Sequence, residues 1–479
     1  MSTAQPPALG LMDKIVSLCK RRGFVFQASE IYGGLNSCWD YGPLGVELKR
    51  NVKDAWWRAM VRDRDDVVGL DSAILQHPKV WEASGHVANF SDPLVDCTKC
   101  KKRFRADHIG VPYQNSTGGW VHPESGAAME ETEARAMLAA KKCPECGGAL
   151  TPPRRFNLMF QTFLGPVVED AARVYLRPET AQGIFTNFVN VLNSSRKKPP
   201  FGIAQIGKSF RNEITPGNFV FRMREFEQAE MEFFCPPADA DKWFAYWREE
   251  RFGWYGKHGV RPSRLRLRDH AKDELAHYST ACSDVEYRYP FGWGELEGIA
   301  NRTDFDLKQH ATFSKKDLSY FDEETKSRYV PYVIEPAAGI DRAAMTFLVD
   351  AYEETVVKDE ERVVLHFHPK IAPITVAVFP LVKKEGMPEK AKEIEQELRR
   401  SFATAIEANQ SIGKRYARQD EVGTPYCVTV DGQSMQDDTV TLRDRDTLAQ
   451  DRVKVSDLSS AIASKIREWK RVDDGGGAA

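Results

Sequence analysis

The sequence predicts an α+β fold: a larger domain that sets a long hairpin among helices, followed by a smaller C-terminal α/β domain. Three observations lead there. The chain has 479 residues, room for about three structural units at roughly 150 residues each. Two long strand-like runs, Ile203 to Asn212 and Phe219 to Phe234, flank Ile214 to Asn218, where Pro216 and Gly217 are turn formers, so a long hairpin is expected. Beyond about residue 374, short apolar strands alternate with an amphipathic helix, the pattern of a separate α/β unit.

Taken in order, Leu44, Leu48, Val52, Ala55, Trp56 and Ala59 recur at helical spacing between Tyr41 and Asp66, with Pro43 where a first-turn proline is tolerated. Val67 to Gln76 reads as a strand stopped near Pro78, and Val80 to His86 as the start of another helix. Residues 97–150 differ in texture, because two cysteine pairs flank a polar, Gly-rich and Glu/Ala-rich stretch, as in an inserted module. Val333 to Tyr352 begins extended, passes Gly339 and becomes a helix with Ile340, Ala344, Phe347 and Leu348 inward. Polar residues from Glu353 to Arg362 read as a linker. Then come a strand at Ile374 to Phe379, a charged amphipathic helix at Pro388 to Gln410, and strands at Tyr426 to Val430 and Thr439 to Arg443. The expected limits are 1–96 and 151–360 for the larger domain, 97–150 for the insertion, 361–373 for the linker and 374–479 for the last domain. The final Gly475 to Ala479 is expected to fray.

Composition excludes several classes. Lys plus Arg number 67 and Asp plus Glu 69, a net charge of -2, so no global positive field advertises a nucleic-acid binder and any polyanion must meet local patches. No run of about 18 apolar residues suggests a membrane span. Met1 to Gly10 lacks a basic-then-apolar leader, which points to the cytoplasm. Nine cysteines, an odd count in a long chain, favour reduced thiols. Cys97-x-x-Cys100 and Cys143-x-x-Cys146, separated by 42 residues, have the spacing for one tetrahedral Zn²⁺, with free thiols as the other reading; four sulfur ligands leave no open position, so the metal would be structural.

In the expected hairpin, side chains alternate faces. Gln205, Ser209, Arg211 and Glu213 share one side of the first strand; Arg222, Arg224, Phe226, Gln228, Glu230 and Glu232 share one side of the second, over an apolar layer of Phe221, Met223, Ala229, Met231 and Phe233. One reading is a solvated face with weak cross-strand ion pairs. The other is a nucleotide surface, with phosphate on Arg211, a base stacked on Phe226 and its exocyclic amine on Glu213.

Phe210-Arg211-Asn212-Glu213 followed by Arg222-x-x-x-Phe226 resembles motif 2 of class II aminoacyl-tRNA synthetases, and Gly339-Ile340-Asp341-Arg342 resembles motif 3. Tyr41-Gly42-Pro43-Leu44-Gly45, Trp81-Glu82-Ala83-Ser84-Gly85-His86, Arg177-Pro178-Glu179-Thr180-Ala181-Gln182-Gly183 and Phe226-Glu227-Gln228-Ala229-Glu230 are similar to the dimeric glycyl type of that family, over about residues 10 to 470. Residues from about Ile374 to Arg471 resemble the anticodon-binding domain shared by glycyl, histidyl, prolyl and threonyl synthetases, through Gly413-Lys414-Arg415-Tyr416, Gly423-Thr424-Pro425-Tyr426 and Thr441-Leu442-Arg443-Asp444-Arg445-Asp446.

The resemblance implies a class II antiparallel-sheet catalytic domain, flanked by helices, that activates glycine with ATP and passes the glycyl group to the 3′ end of tRNA(Gly). It implies catalytic roles for Arg211 at the α-phosphate and for Arg342 at the γ-phosphate. It implies an ATP site of Arg211-Asn212-Glu213, Phe221-Arg222-Met223-Arg224-Glu225-Phe226, Glu295, Leu296 and Gly339-Ile340-Asp341-Arg342, with Glu295 as a Mg²⁺ ligand. For glycine it implies Glu179, Phe226 to Glu230, the floor Glu335-Pro336-Ala337-Ala338-Gly339, and Arg105 reaching in from the insertion. Ala337 stands where many members carry serine. A small acidic pocket would select glycine by exclusion. The implied assembly is a homodimer through motif 1, about Tyr41 to Pro78. Lys414, Arg415, Arg418, Arg443 and Arg445 are basic residues suited to tRNA phosphates, or else a solvated rim. The rivals are a threonyl, prolyl or histidyl synthetase, disfavoured by the stretches at Trp81 and Phe226, and a non-catalytic nucleic-acid-binding paralogue, which would have lost the arginines retained here.

Overall fold

The computed structural model describes residues 10–471 apart from 116, 117, 167, 168, 170, 171, 273, 277, 358 and 359. The leader reading at Met1 to Gly10, apart from Gly10, and the Gly475 to Ala479 tail lie outside the described residues. No helix among them is long and apolar enough to cross a membrane.

A seven-stranded sheet forms the centre: β1 (Val67–Gly69), β2 (Phe201–Phe210), β3 (Glu225–Cys235), β4 (Leu265–Asp269), β5 (Ala281–Tyr289), β6 (Gly292–Thr303) and β7 (Tyr332–Gly339), in the spatial order β4-β5-β6-β7-β3-β2-β1. Every neighbouring pair is antiparallel except β1 with β2. The hairpin register sets Gln205 opposite Glu230 and Ser209 opposite Phe226, so the alternation read from the sequence holds along both strands. One face carries Ala204, Met231 and Phe233 into the main core. The other begins apolar at Phe201, Ile203 and Phe234 and turns polar through Glu232 and Glu230.

Helix α1 (Leu11–Arg22) precedes α2 (Pro43–Trp57), which starts on Pro43 and buries Gly45, Leu48, Val52 and Trp56. Helix α3 (Ala181–Thr186) and α5 (Phe305–Ser314) cover the Phe234 face, while α4 (Ala240–Lys257) covers the other, setting Trp247 on Phe233. Helix α6 (Ile340–Ala351) is buried at every position except Arg342, as expected of a helix in the middle of a core.

Several sequence expectations change. Only Val67–Gly69 of the run to Gln76 is strand, because the Ser72 amide donates to the Gln205 side chain and the Ser72 carbonyl accepts from Arg177. The second hairpin run starts at Glu225, since Asn218 and Phe219 adopt positive φ and Phe219–Phe221 is a 3-10 turn; Arg222 and Arg224 therefore sit on a loop. Arg211, Asn212 and Glu213 likewise leave β2, with the Arg211 amide bonded to the Arg224 carbonyl. The stretch read as a linker is a ribbon, Tyr352–Val357 paired with Glu360–Leu365, in which Thr355, Val356, Val363 and Val364 supply β-branched residues that favour strand pairing.

The C-terminal unit is a five-stranded sheet of β8 (Val376–Pro380), β9 (Thr404–Ile406), β10 (Tyr426–Val430), β11 (Thr439–Asp444) and β12 (Gln450–Lys454), in the order β9-β8-β10-β11-β12. Helices α7 (Met387–Leu398), α8 (Ile412–Val422) and α9 (Leu458–Glu468) accompany it. Helix α7 stops at Leu398, short of the expected Gln410, because Thr404–Ile406 pairs with β8 as an edge strand. The insertion is rooted on Ser91–Asp96 and Arg154–Asn157, which pair with each other at its base.

Candidate active site

A cavity opens where β3, β6 and β7 meet the loop after β2 and the start of α6. Its two ends differ in charge.

At the first end, Phe226 lies on the pocket side of β3 and the Arg211 guanidinium stands 5.4 Å from its ring centre. Arg211 Nε donates to the Pro178 carbonyl at 3.0 Å, and its charge also faces the Phe90 ring at 5.4 Å. Opposite, Arg342 donates to the carbonyls of Phe221 and Glu295, both at 3.1 Å, and lies 4.4 Å over the Phe221 ring. The Glu295 carboxylate is 3.2 Å from Arg342, and that guanidinium holds its carboxyl below the usual range. Glu213, Arg222 and Met223 complete the wall. Glu295 lies within β6, beside a bulge that leaves Leu296 as the extra residue, so both Glu295 and Leu296 reach the cavity.

The second end is acidic. Glu179, Glu230 and Glu335 line it, with Ala337 and Gly339 between the two ends. Each carboxylate is placed by named partners. Glu230 accepts from the Thr180 amide at 2.8 Å and from its hydroxyl. Glu179 accepts from Gln182 at 2.9 Å and faces His86 at 3.3 Å. Glu335 receives Arg302 at 2.6 Å. Burial raises the Glu179 carboxyl, but His86, Arg302 and the Gln182 amide outweigh it and hold it below the usual range. Burial and the Glu179 charge push Glu230 up, and burial against Arg302 leaves Glu335 at about 8.

The seven-residue stretch from Arg177 builds this end. Arg177 spans to the carbonyls of Lys208 and Ser72 at 2.7 and 2.9 Å, and a Cβ at Gly207 would fall 2.2 Å from its Nη2, so any side chain there would have to displace that guanidinium. Gly85, in the left-handed region at φ 81, turns the chain so that His86 meets Glu179.

Several expected site residues fall elsewhere. Arg105 pairs with Asp92 at 2.9 Å and Asp107 at 2.6 Å and does not line the cavity. Asn212 is held by its amide to the Leu158 carbonyl. Arg224 donates to the carbonyls of Asn36 and Glu213, and Glu225 pairs with Lys208. Ala229, Ala338 and Ile340 belong to the core behind the wall, and Pro336 sits opposite Ile299 in the sheet. Glu227 and Asp341 do touch the cavity. Asp341 accepts from Tyr41 and Lys49, each at 2.6 Å, and from the Glu227 amide at 2.7 Å, tying Tyr41 and α2 to the first turn of α6. Val220, Tyr278 and Arg302 line the pocket without having been read from the sequence. Asn301-Arg302-Thr303 carried no spacing signal; only folding brings Arg302 to Glu335.

In the insertion, the Sγ atoms of Cys97, Cys100, Cys143 and Cys146 all lie within 4.8 Å of one another, with Cys97 to Cys146 at 3.5 Å and Cys100 to Cys143 at 3.7 Å. Four thiolates at about 2.3 Å from one tetrahedral Zn²⁺ stand roughly 3.8 Å apart, so the donor set fits. In the C-terminal unit, three of the five basic residues are internal. Arg415 is 2% exposed and donates to the carbonyls of Pro380, Leu381 and Glu407. Arg443 pairs with Asp420 and Arg445 with Asp446. Arg418 pairs with Glu407, leaving Lys414 exposed beside Arg21 and Arg22.

Residues 167–352 match the family described as the tRNA synthetase class II core domain (G, H, P, S and T), and residues 375–465 match the anticodon binding domain. The chain is 54% identical over 466 residues to the glycine–tRNA ligase of Treponema denticola, covering 96% of this chain and 98% of that one. It is 54% identical over 458 residues to that of Clostridium acetobutylicum (95% and 99% covered) and 53% identical over 465 residues to that of Streptomyces coelicolor (95% and 98%). A solved prolyl-tRNA synthetase from Cryptosporidium parvum shares the fold, with a TM-score of 0.62 at 13% identity over 95% of this chain and 77% of that one.

Proposed function

Because the chain belongs to the glycine–tRNA ligase family of class II synthetases, we propose that it activates glycine with ATP and esterifies tRNA(Gly). The observation that carries the assignment to this cavity is its polarity: a closed end of three carboxylates, Glu179, Glu230 and Glu335, joined to an open end of Arg211, Phe226 and Arg342.

In this reading the glycine ammonium sits among the three carboxylates and its carboxylate points toward Arg211. Ala337 and Gly339 leave little room beyond the α-carbon, so larger amino acids are excluded by volume. Adenine stacks on Phe226 and offers its amine to Glu213; Arg222 and Arg342 take the γ-phosphate from opposite walls. The glycine carboxylate attacks the α-phosphorus in line and pyrophosphate leaves. Arg211, held by the Pro178 carbonyl, meets the charge that develops on the α-phosphate oxygens. The terminal ribose hydroxyl of the tRNA then attacks the glycyl carbonyl and AMP departs. Positioning and electrostatics suffice, and no residue becomes a covalent nucleophile.

Glu295 offers a carboxylate for Mg²⁺, which when bound neutralises phosphate charge. The four cysteines would hold a structural Zn²⁺ with no part in the chemistry. The division of labour follows the expected limits, with catalysis in 1–96 and 151–360 around the 97–150 insertion and, beyond the segment 361–373, tRNA reading in 374–479. We take the enzyme to be cytoplasmic and a homodimer; light scattering returning the mass of a single 54.2 kDa chain would refute the dimer.

The test is amino-acid-dependent exchange of labelled pyrophosphate into ATP across all twenty amino acids. Exchange with glycine alone is expected. Exchange with proline, threonine or histidine, or with none, would overturn the reading.

A further inference from the structure

Along β3 the pocket-facing row runs Phe226, Gln228, Glu230, Glu232, Phe234, from the open cavity into closed core. Glu232 is 0% exposed, directly behind Glu230 and across from Ile203. Five carboxyls therefore gather at and behind the acidic end of the cavity: Glu179, Glu230 and Glu335 in its wall, and Glu232 and Asp306 behind them. The basic groups that face them are Arg302, bonded to Asp306 at 2.8 Å and to Glu335 at 2.6 Å, His86 beside Glu179, His310 near Asp306 and Arg211 toward Glu230. Four of the five carboxyls have hydrogen-bond or ion-pair partners given above. Neither oxygen of Glu232 has one among the described residues.

A bare carboxylate in that position is strongly disfavoured, since burial without a partner penalises the ionised form and each neighbouring carboxylate adds to the penalty. Protonation removes the conflict. We propose that Glu232 is a positioning residue of the amino-acid pocket: together with Glu335 it holds one proton while no amino acid is bound, and the pair gives that proton up to solvent when the ammonium of the glycyl group arrives. The inference rests on reading the acidic end as the glycine site.

Every element around Glu232 bears on this exchange. Glu335 on β7, Glu230 on its own strand and Asp306 on α5 favour the protonated state, while Arg302 on β6 opposes it. From β2 come the uncharged Ile203 and Gln205, and Gln205 Nε2 is itself buried and unpartnered. Burial first, and Glu335 next, push the Glu232 carboxyl well above the usual range. The arriving ammonium adds one positive charge beside Glu179, Glu230 and Glu335, which favours ionisation of the pair. No other reactant is needed: an O–H bond breaks, and the proton passes to buffer.

Calorimetric titration of the full-length protein with a stable glycyl-sulfamoyl adenosine, near neutral pH in buffers of differing ionisation enthalpy, counts the protons. Wild type should release roughly one proton per site, and the analogue bearing hydroxyl in place of the amino group should release none. E232Q should still bind but release less than half as many protons, and the rise of affinity with pH seen in wild type should flatten. Wild-type binding without proton release would overturn the proposal whether or not E232Q folds, as would release unchanged in E232Q. If folded wild-type protein binds neither analogue, the glycine-site reading itself fails.

Discussion

Arg211 and Arg302 line the same cavity yet are held in opposite ways. Arg302 is locked between Asp306 and Glu335, so its charge is already spent on orienting carboxylates. Arg211 has one carbonyl partner and two ring faces, and none of the ion pairs among the described residues involves it. A guanidinium so placed is free for an anion and preorganised to meet it. Arg211→Ala should therefore lower glycine-dependent pyrophosphate exchange about 10²- to 10³-fold with little change in melting temperature. Exchange near the wild-type rate would sink the α-phosphate role. The same contrast explains the C-terminal arginines: residue type made Arg415, Arg443 and Arg445 look like phosphate ligands, but their partners are internal carbonyls and carboxylates.

At the scale of elements, the insertion is a small unit with its own cluster of Val95, Ala106 and Val111, too little apolar surface to stand without a cross-link. The cysteine cluster supplies one when metal is bound. Removing metal with a strong chelator should raise amide exchange across residues 97–150 while the central sheet stays protected, because the base strands Ser91–Asp96 and Arg154–Asn157 pair independently of the thiols. Glycine-dependent pyrophosphate exchange should largely survive, since Arg105 does not reach the cavity. Loss of protection throughout β2 and β3 would show that the metal supports the whole domain. The helix periods of α2 and α6 were legible because each buries a stripe or a whole surface. The limits of β3 were not, because a positive φ at Asn218 and Phe219 is a backbone event that phenylalanine gives no reason to expect.

Across the whole molecule, the catalytic unit and the C-terminal unit are tied at several points. Glu421 on α8 pairs with Arg21 and Arg22 of α1, and Arg471 reaches Asp350 at 2.7 Å and donates to the Gly259 carbonyl at 2.6 Å. His368 packs between these units, its ring 4.6 Å from that of Trp469, with Nδ1 accepting from the Lys370 amide. Burial, with His258, Lys370 and Arg445 nearby, lowers it to about 3. The unfolded chain, titrating near 6.5, then binds a proton that the folded chain refuses. Stability tied to His368 is complete above about pH 6.5 and falls as pH drops toward 3, by up to about 1.4 kcal/mol per pH unit. Melting temperature should decline over that window, and His368→Phe should reduce the slope; an unaltered slope would place the acid sensitivity elsewhere.

Motif residues, cysteine spacing and helical periodicity are local in the chain, so Arg211, Phe226, Glu179, Arg342 and the four zinc-type ligands could be read before any fold was known. The alternation along β3 likewise placed Glu230 and Gln228 on one face. What remained undecided were pairings between residues far apart in sequence. Arg302 with Glu335, His86 with Glu179, Asp341 with Tyr41 and the solitary Glu232 acquire their roles only when β6, β7 and α5 close around β3. Charge and burial belong to that three-dimensional neighbourhood, and the order of residues along the chain does not encode them separately.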